Sequence, residues 1–249
     1  MASFDLNIYR NRQKGLPKMK IHGFNTLTLL DYPGHVGATL FLGGCNFRCP
    51  FCQNGNLVLH PEQEPFIPEE QVFSFLKKRQ GILDGVCISG GEPTLCPGLP
   101  ELAEKIKSLG YLVKLDTNGS RPDVLRQLCE LGLIDYVAMD IKSSRKNYKR
   151  VAGCESLSLE AIEKSVTYLM EHVPTYEFRT TVVRELHTAS DFEDIADWLC
   201  GCHAYYLQAY RDSDHVIHPG FSSYSRAELE AFCEILRKKI PLTVIRGID

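Results

Sequence analysis

From Ala38 onward, short apolar runs alternate with longer stretches in which apolar residues recur every third or fourth position. The short runs have the length of strands and the long ones the period of helices, and their regular alternation is the pattern of parallel β/α units. It predicts strands at Ala38 to Leu42, Val86 to Ser89, Leu112 to Asp116, Tyr136 to Ile141, Tyr176 to Val183 and Ala204 to Ala209, with a seventh at Leu242 to Ile245. Helices follow from the core-facing sets Leu102, Ile106 and Leu109; Val124, Leu125, Leu128 and Leu131; Ile162, Val166, Leu169 and Met170; Ile195, Ala196 and Leu199; and Leu229, Phe232 and Leu236. Pro68-Glu69-Glu70 opens the first helix, and Ser225 with Glu228 forms a capping box for the last.

Before this series, Ile21 to Gly34 alternates over Ile21, Phe24, Leu27, Leu29 and Leu30 and stops at the turn Asp31-Tyr32-Pro33-Gly34. A short β-element is expected there, placed to cap one barrel end. Met1 to Lys20 is polar and aperiodic and reads as an extension. The expected architecture is α/β: a partial (β/α)6 barrel with a short N-terminal β-element, comprising an extension over 1–20 and one domain over 21–249.

With 44% hydrophobic and 24% charged residues, composition is that of a soluble globular protein. A net charge of −3 gives no electrostatic footprint for a polyanion, so no nucleic-acid partner is expected. The apolar runs are strand-sized, far short of a membrane span, and the charged N-terminus is not followed by an apolar region or cleavage site. A cytoplasmic location without membrane contact is expected, and the ten cysteines are read as reduced thiols.

Three of those cysteines stand in Cys45-Asn46-Phe47-Arg48-Cys49-Pro50-Phe51-Cys52, just after the first strand and a Gly43-Gly44 pair. Thiols at this spacing cannot all enter a core from a strand or helix, but a loop leaving a strand end can aim them at one point. Thiolates select zinc, copper(I) or iron–sulfur clusters, and a closed tetrahedral site needs a fourth ligand that this stretch lacks. A [4Fe-4S] cluster on three thiolates leaves one iron open to an outside ligand, as a reactive cluster requires. The competing arrangement is a zinc knuckle completed by His60. The other seven cysteines, Cys200 and Cys202 included, are read as buried or incidental.

In β/α barrels, functional residues collect where strands end and loops begin. Here those ends carry Ser89-Gly90-Gly91-Glu92-Pro93, Asp116-Thr117-Asn118-Gly119, Asp140-Ile141-Lys142, Arg179-Thr180-Thr181 and Gln208-Ala209-Tyr210-Arg211. Any one of them could be only a turn or a solvated charge, but recurrence at successive strand ends points to one site. His60, His187, His215 and His218 are expected at the surface.

The Cys-x3-Cys-x2-Cys spacing with Phe51 before the third cysteine resembles the radical S-adenosylmethionine (SAM) enzymes. Asp31-Tyr32-Pro33-Gly34, Phe41 to Pro50, Gly90-Gly91-Glu92-Pro93-Thr94 and Met139-Asp140-Ile141-Lys142 together resemble anaerobic ribonucleoside-triphosphate reductase activating proteins, over nearly the whole chain from about Lys20. The resemblance implies a barrel of the radical SAM type with a [4Fe-4S] cluster on Cys45, Cys49 and Cys52. It implies S-adenosyl-L-methionine as cofactor, its methionyl amine held by Gly90, Gly91 and Glu92, with Asn54 beside it. Asp116, Asp140 and Lys142 resemble further cofactor contacts, and Thr181 and Arg211 fall where others occur. The implied reaction is reductive cleavage of SAM to a 5′-deoxyadenosyl radical that installs a glycyl radical on a partner, an anaerobic ribonucleotide reductase. An external one-electron donor such as flavodoxin or ferredoxin is implied, and Arg179 and the segment Arg211 to Tyr224 are expected to receive the partner's glycine loop. The alternatives are an activase of the pyruvate formate-lyase type, a radical SAM enzyme acting on a small molecule, and a non-catalytic zinc- or cluster-binding module.

Overall fold

Parallel strands covered on both faces read as near-continuous apolar runs, and the computed structural model, which describes residues 19–248, places every predicted run in one sheet. Its strands are β1 (Ile21–Thr28), β2 (Gly37–Leu42), β3 (Gly85–Gly90), β4 (Leu112–Thr117), β5 (Tyr136–Asp140), β6 (Tyr176–Val182), β7 (Tyr205–Ala209) and β8 (Thr243–Arg246). They lie side by side in sequence order. β1 is antiparallel to β2, and every later neighbour is parallel. The six central strands are the expected partial (β/α)6 barrel, with β1 and β8 as its edges. β1 pairs Phe24 with Leu40 and Asn25 with Thr39, so this element lengthens the sheet instead of capping a barrel end.

The helices are α1 (Gly55–Leu59), α2 (Glu69–Lys78), α3 (Leu99–Ser108), α4 (Pro122–Glu130), α5 (Tyr148–Ala152), α6 (Leu159–His172), α7 (Ala189–Trp198) and α8 (Arg226–Arg237). α1 and α5 escape sequence periodicity because five residues barely exceed one turn. The α8 capping box is formed: the Glu228 amide donates to Ser225 Oγ, and Glu228 Oε2 accepts from the Ser225 amide at 2.8 Å. Helix residues such as Leu102 and Ile106 on α3, Leu125 and Leu128 on α4, and Ile162 and Leu169 on α6 are fully buried. Each such side chain contributes about 1.5–3 kcal/mol.

Alternate residues of a strand face opposite ways, so the residues between these apolar positions share the barrel interior. There Lys114 lies beside Cys87 and Tyr136, Arg179 beside Asp140 and Tyr206, and Gln208 beside Thr181 and Arg246. Glu177, wholly buried, accepts from both Nη atoms of Arg246, at 2.8 and 2.9 Å, and from the Tyr136 hydroxyl at 2.7 Å. Arg246 also lies 3.3 Å from the Tyr206 ring centroid, so a charged clamp ties β8 across β7 to β6. Residues 1–18 of the expected extension lie outside the described residues. Among the described residues, no helix is long and apolar enough to cross a membrane.

Candidate active site

The cysteine loop begins where β2 ends, and four hydrogen bonds fix its start. The Gly44 amide donates to the Leu57 carbonyl (2.7 Å) and the Glu92 amide to the Gly44 carbonyl (2.8 Å). The Gly91 amide donates to Leu42 (2.8 Å), and Asn54 Nδ2 to the Gly90 carbonyl (2.9 Å). Such close backbone contact explains the glycine pair: a Cβ on Gly91 would stand 2.0 Å from the Gly44 carbonyl oxygen, and one on Gly90 2.2 Å from that of Leu42. Gly91→Ala is therefore expected to displace the strand leading into Cys45. Iron retained after anaerobic reconstitution should fall to less than half that of the native chain, read by iron analysis.

Cys45, Cys49 and Cys52 line one cavity of about 280 Å³, near the lower bound of small-molecule sites. The Phe47 amide donates to Cys45 Sγ at 3.3 Å, and Cys49 Sγ lies 3.6 Å from the Ala152 carbonyl oxygen at the end of α5. Burial pushes the Cys49 thiol up to about 12 and Cys45 up to about 11, and raises Cys52 as well, against a smaller opposing pull from Lys142 on each. The protein alone thus favours neutral thiols, and a positive centre brought among them would make them thiolates. Among the described residues, no three His, Cys, Asp or Glu side chains gather closely enough to hold a single metal ion. Three soft donors spread around one cavity fit a polynuclear iron–sulfur cluster. They do not fit the zinc knuckle, because His60 is exposed, sits 3.7 Å from Glu62 and is not on the cavity wall.

The opposite wall is ionic. Lys114, itself buried, pairs with Asp116; Arg179 Nη2 reaches Asp116 at 3.1 Å and its Nε reaches Asp140 at 2.5 Å; Lys142 closes the row on Asp140 at 2.8 Å. Ser89 adds a donor to Asp116 at 3.0 Å. Burial alone would raise both carboxyls, but Arg179, with Lys114 on Asp116 and Lys142 on Asp140, reverses this and holds both below the usual carboxylate range. The reverse holds for Lys142, where burial is outweighed by Asp140 and the ammonium is held protonated.

His187 is a correction to the expected surface histidines, for it is completely buried. Its Nδ1 accepts from the Val183 amide at 3.1 Å, which leaves Nε2–H to donate to the Lys142 carbonyl at 2.8 Å. Burial lowers its pKa and keeps it neutral, so it is a backbone prop behind Lys142.

Asn54, Gly90, Gly91, Asp116, Asp140, Lys142, Arg179 and Thr181 line the same cavity as the three thiols. Glu92 and Arg211 do not. The Glu92 carboxylate, 1% exposed, folds back to accept from the Thr94 amide and hydroxyl, the Thr117 hydroxyl and the Asn118 amide. It locks two loops together. Arg211 lies beyond the end of β7 and donates to the Gly247 carbonyl at 3.0 Å, whereas Gln208 reaches the cavity because it shares inward parity with Tyr206. Sequence reasoning missed Lys114. The signal was Lys114 and Asp116 two apart in an apolar parallel strand, which puts both on the face that Val113 and Leu115 leave. The segment after Arg211 runs along the cysteine loop, with backbone bonds from Ile217 to Cys52, His218 to Pro50 and Gly55 to His215 at 2.8–3.2 Å.

A model of the radical SAM superfamily matches residues 39–199. A Methanocaldococcus jannaschii protein named as a glycyl-radical enzyme activating enzyme is 34% identical over 239 residues, covering 93% of this chain and 98% of the relative. Among solved structures, a domain of pyruvate-formate lyase-activating enzyme from Bacteroides vulgatus superposes with a TM-score of 0.54 at 20% identity, over 66% of this chain and 99% of that one. Streptococcus suis SuiB bound to S-adenosylmethionine gives 0.64 at 16% identity, over 82% and 48%. At such identities these two superpositions speak for the fold. Superfamily match, full-length relative and the three-thiol cavity agree, and the chain belongs to the radical SAM superfamily, whose members use a [4Fe-4S] cluster and S-adenosylmethionine, within the group of glycyl-radical enzyme activating enzymes.

Proposed function

We propose that this chain activates an anaerobic ribonucleoside-triphosphate reductase by installing a glycyl radical on it. The observation that carries the reading is that three cysteine thiols, the Gly90-Gly91 backbone and two basic side chains share one cavity. When bound, the cluster and SAM supply a 5′-deoxyadenosyl radical able to take a hydrogen atom from a glycine. Cys45, Cys49 and Cys52 hold the iron. Gly90 and Gly91 let a ligand approach the main chain, where carbonyls accept from an ammonium group, while Asn54 fixes the Gly90 carbonyl. Lys142 is the cation for a carboxylate, and Asp116 and Asp140 are acceptors for ammonium or ribose hydroxyls. Thr181 completes the wall, and buried Phe47 and Phe51 shield the cavity from water and stray hydrogen donors. Arg179, on the cavity wall between Asp116 and Asp140, is the side chain that receives the backbone of the partner's glycine loop.

In this reading residues 21–249 form the working domain, the protein is cytoplasmic, and flavodoxin or ferredoxin is the electron source. The test is electron spin resonance. The reconstituted chain, SAM and a reductant are expected to raise a glycyl-radical signal on a candidate reductase that is absent when the chain is omitted. A signal raised only on a formate-lyase homologue would reassign the partner.

A further inference from the structure

The segment around α5 reads Arg145-Lys146-Asn147-Tyr148-Lys149-Arg150-Val151-Ala152-Gly153, with four cations and no acid, in a chain whose net charge is −3. Arg145 is neutralised by Asp194 at 2.8 Å, but Lys146 and Lys149 are exposed and pair with no carboxylate among the described residues. Arg150 is exposed too and gives one Nη to the Leu186 carbonyl. The segment sits directly on the cysteine loop. The Ala152 carbonyl accepts from the Arg48 amide at 2.9 Å and lies 3.6 Å from Cys49 Sγ, and Gly153 packs so tightly that a Cβ there would meet the Arg48 carbonyl at 2.1 Å. Arg48, exposed, adds its own charge beside these. One short helix is therefore all that separates an unneutralised cationic surface from the most deeply buried of the three thiols.

We propose that this flank, formed by Arg48, Lys146, Lys149 and Arg150, is the docking surface for an acidic one-electron carrier protein that reduces the cluster. The inference rests on reading the cavity as a cluster site. The barrel mouth must admit the partner's glycine loop, so the electron has to come through another side, and α5 stands against the site, its last carbonyl 3.6 Å from Cys49 Sγ. Complementary charge raises the encounter rate and orients the carrier, and transient electron-transfer contacts need little buried area. In the step itself one electron leaves the reduced carrier, a flavin hydroquinone in the test below, and one electron enters the oxidised cluster; no proton or bond need move.

Flavodoxin hydroquinone and dithionite are mixed in separate runs with the native holoprotein and with the Lys146→Glu/Lys149→Glu variant, and cluster reduction is followed by its visible absorption. The variant is expected to lose about tenfold or more of the second-order rate with flavodoxin and to stay within about twofold with dithionite. The native rate with flavodoxin should fall severalfold as salt rises from about 20 to about 200 mM. Carbodiimide coupling of oxidised flavodoxin to the native chain should place cross-links on Lys146 or Lys149. Equal flavodoxin rates in both proteins, equal slowing with both reductants, or cross-links confined to other lysines would overturn the proposal. A native chain that retains no iron, or that dithionite cannot reduce, would instead sink the reading of the cavity.

Discussion

Cys49→Ala is expected to reduce the iron bound after anaerobic reconstitution from about four per chain to below one, with loss of the brown colour and of reductant-dependent SAM cleavage. Two physical facts make the effect this large. Three thiols leave no spare ligand, since the cavity wall holds no other cysteine, and Cys49 is the deepest of them, so its removal takes away a soft donor that none of the lining side chains replaces. Cys129→Ala is the matched control, since that thiol lies in α4 on the outer helical layer. It should keep its iron and lose only the small stability expected of a trimmed packing residue, about 1 kcal/mol. Iron analysis and visible absorption separate the two. If both variants lost their iron alike, the cavity would not be the cluster site.

The cysteine loop and the polar strand ends were legible because each is local: a run of thiols after a strand, or a glycine pair before a carboxylate, can be read without knowing what lies opposite. What could not be read depends on register and on distant partners. Lys114 looks like a surface lysine until β4 is set between Cys87 and Tyr136. Glu92 reads from sequence as a carboxylate facing the cavity, but its hydrogen bonds to Thr94, Thr117 and Asn118 depend on partners up to twenty-six residues away. His187 has no periodic context, and its burial rests on two main-chain partners forty-five and four residues away. Arg211 was placed as a cofactor contact by the resemblance alone, but β7 stops at Ala209 and the chain then follows the cysteine loop. The same locality explains β1: alternation fixes that a strand exists and leaves open whether it caps a barrel or borders one.

Arg179→Gln should unfold the chain far more readily, and by an amount that depends on pH in a defined direction. Arg179, 14% exposed, is the shared cation between Asp116 and Asp140, so its loss breaks two buried pairs at once and leaves each carboxylate with a single lysine. Breaking a buried pair by removing one partner costs about 3–5 kcal/mol, or about 10 °C in melting temperature for a domain of this size. Both folded-state carboxyl pKa values are depressed, so the stability they contribute is complete above the unfolded value near about 4 and is lost as pH falls through the folded values. The variant has less depression to lose. The gap between native and variant chains should therefore be constant from neutral pH to about pH 4 and shrink below it, as measured by thermal melts of the cluster-free chains at a series of pH values. Arg179→Lys restores the charge but not the two-sided fork and should recover only part of the difference. A gap that stayed constant below about pH 4 would mean that the two carboxyls are already neutral in the native barrel, and the ionic wall opposite the thiols would have to be redrawn as a hydrogen-bonded one.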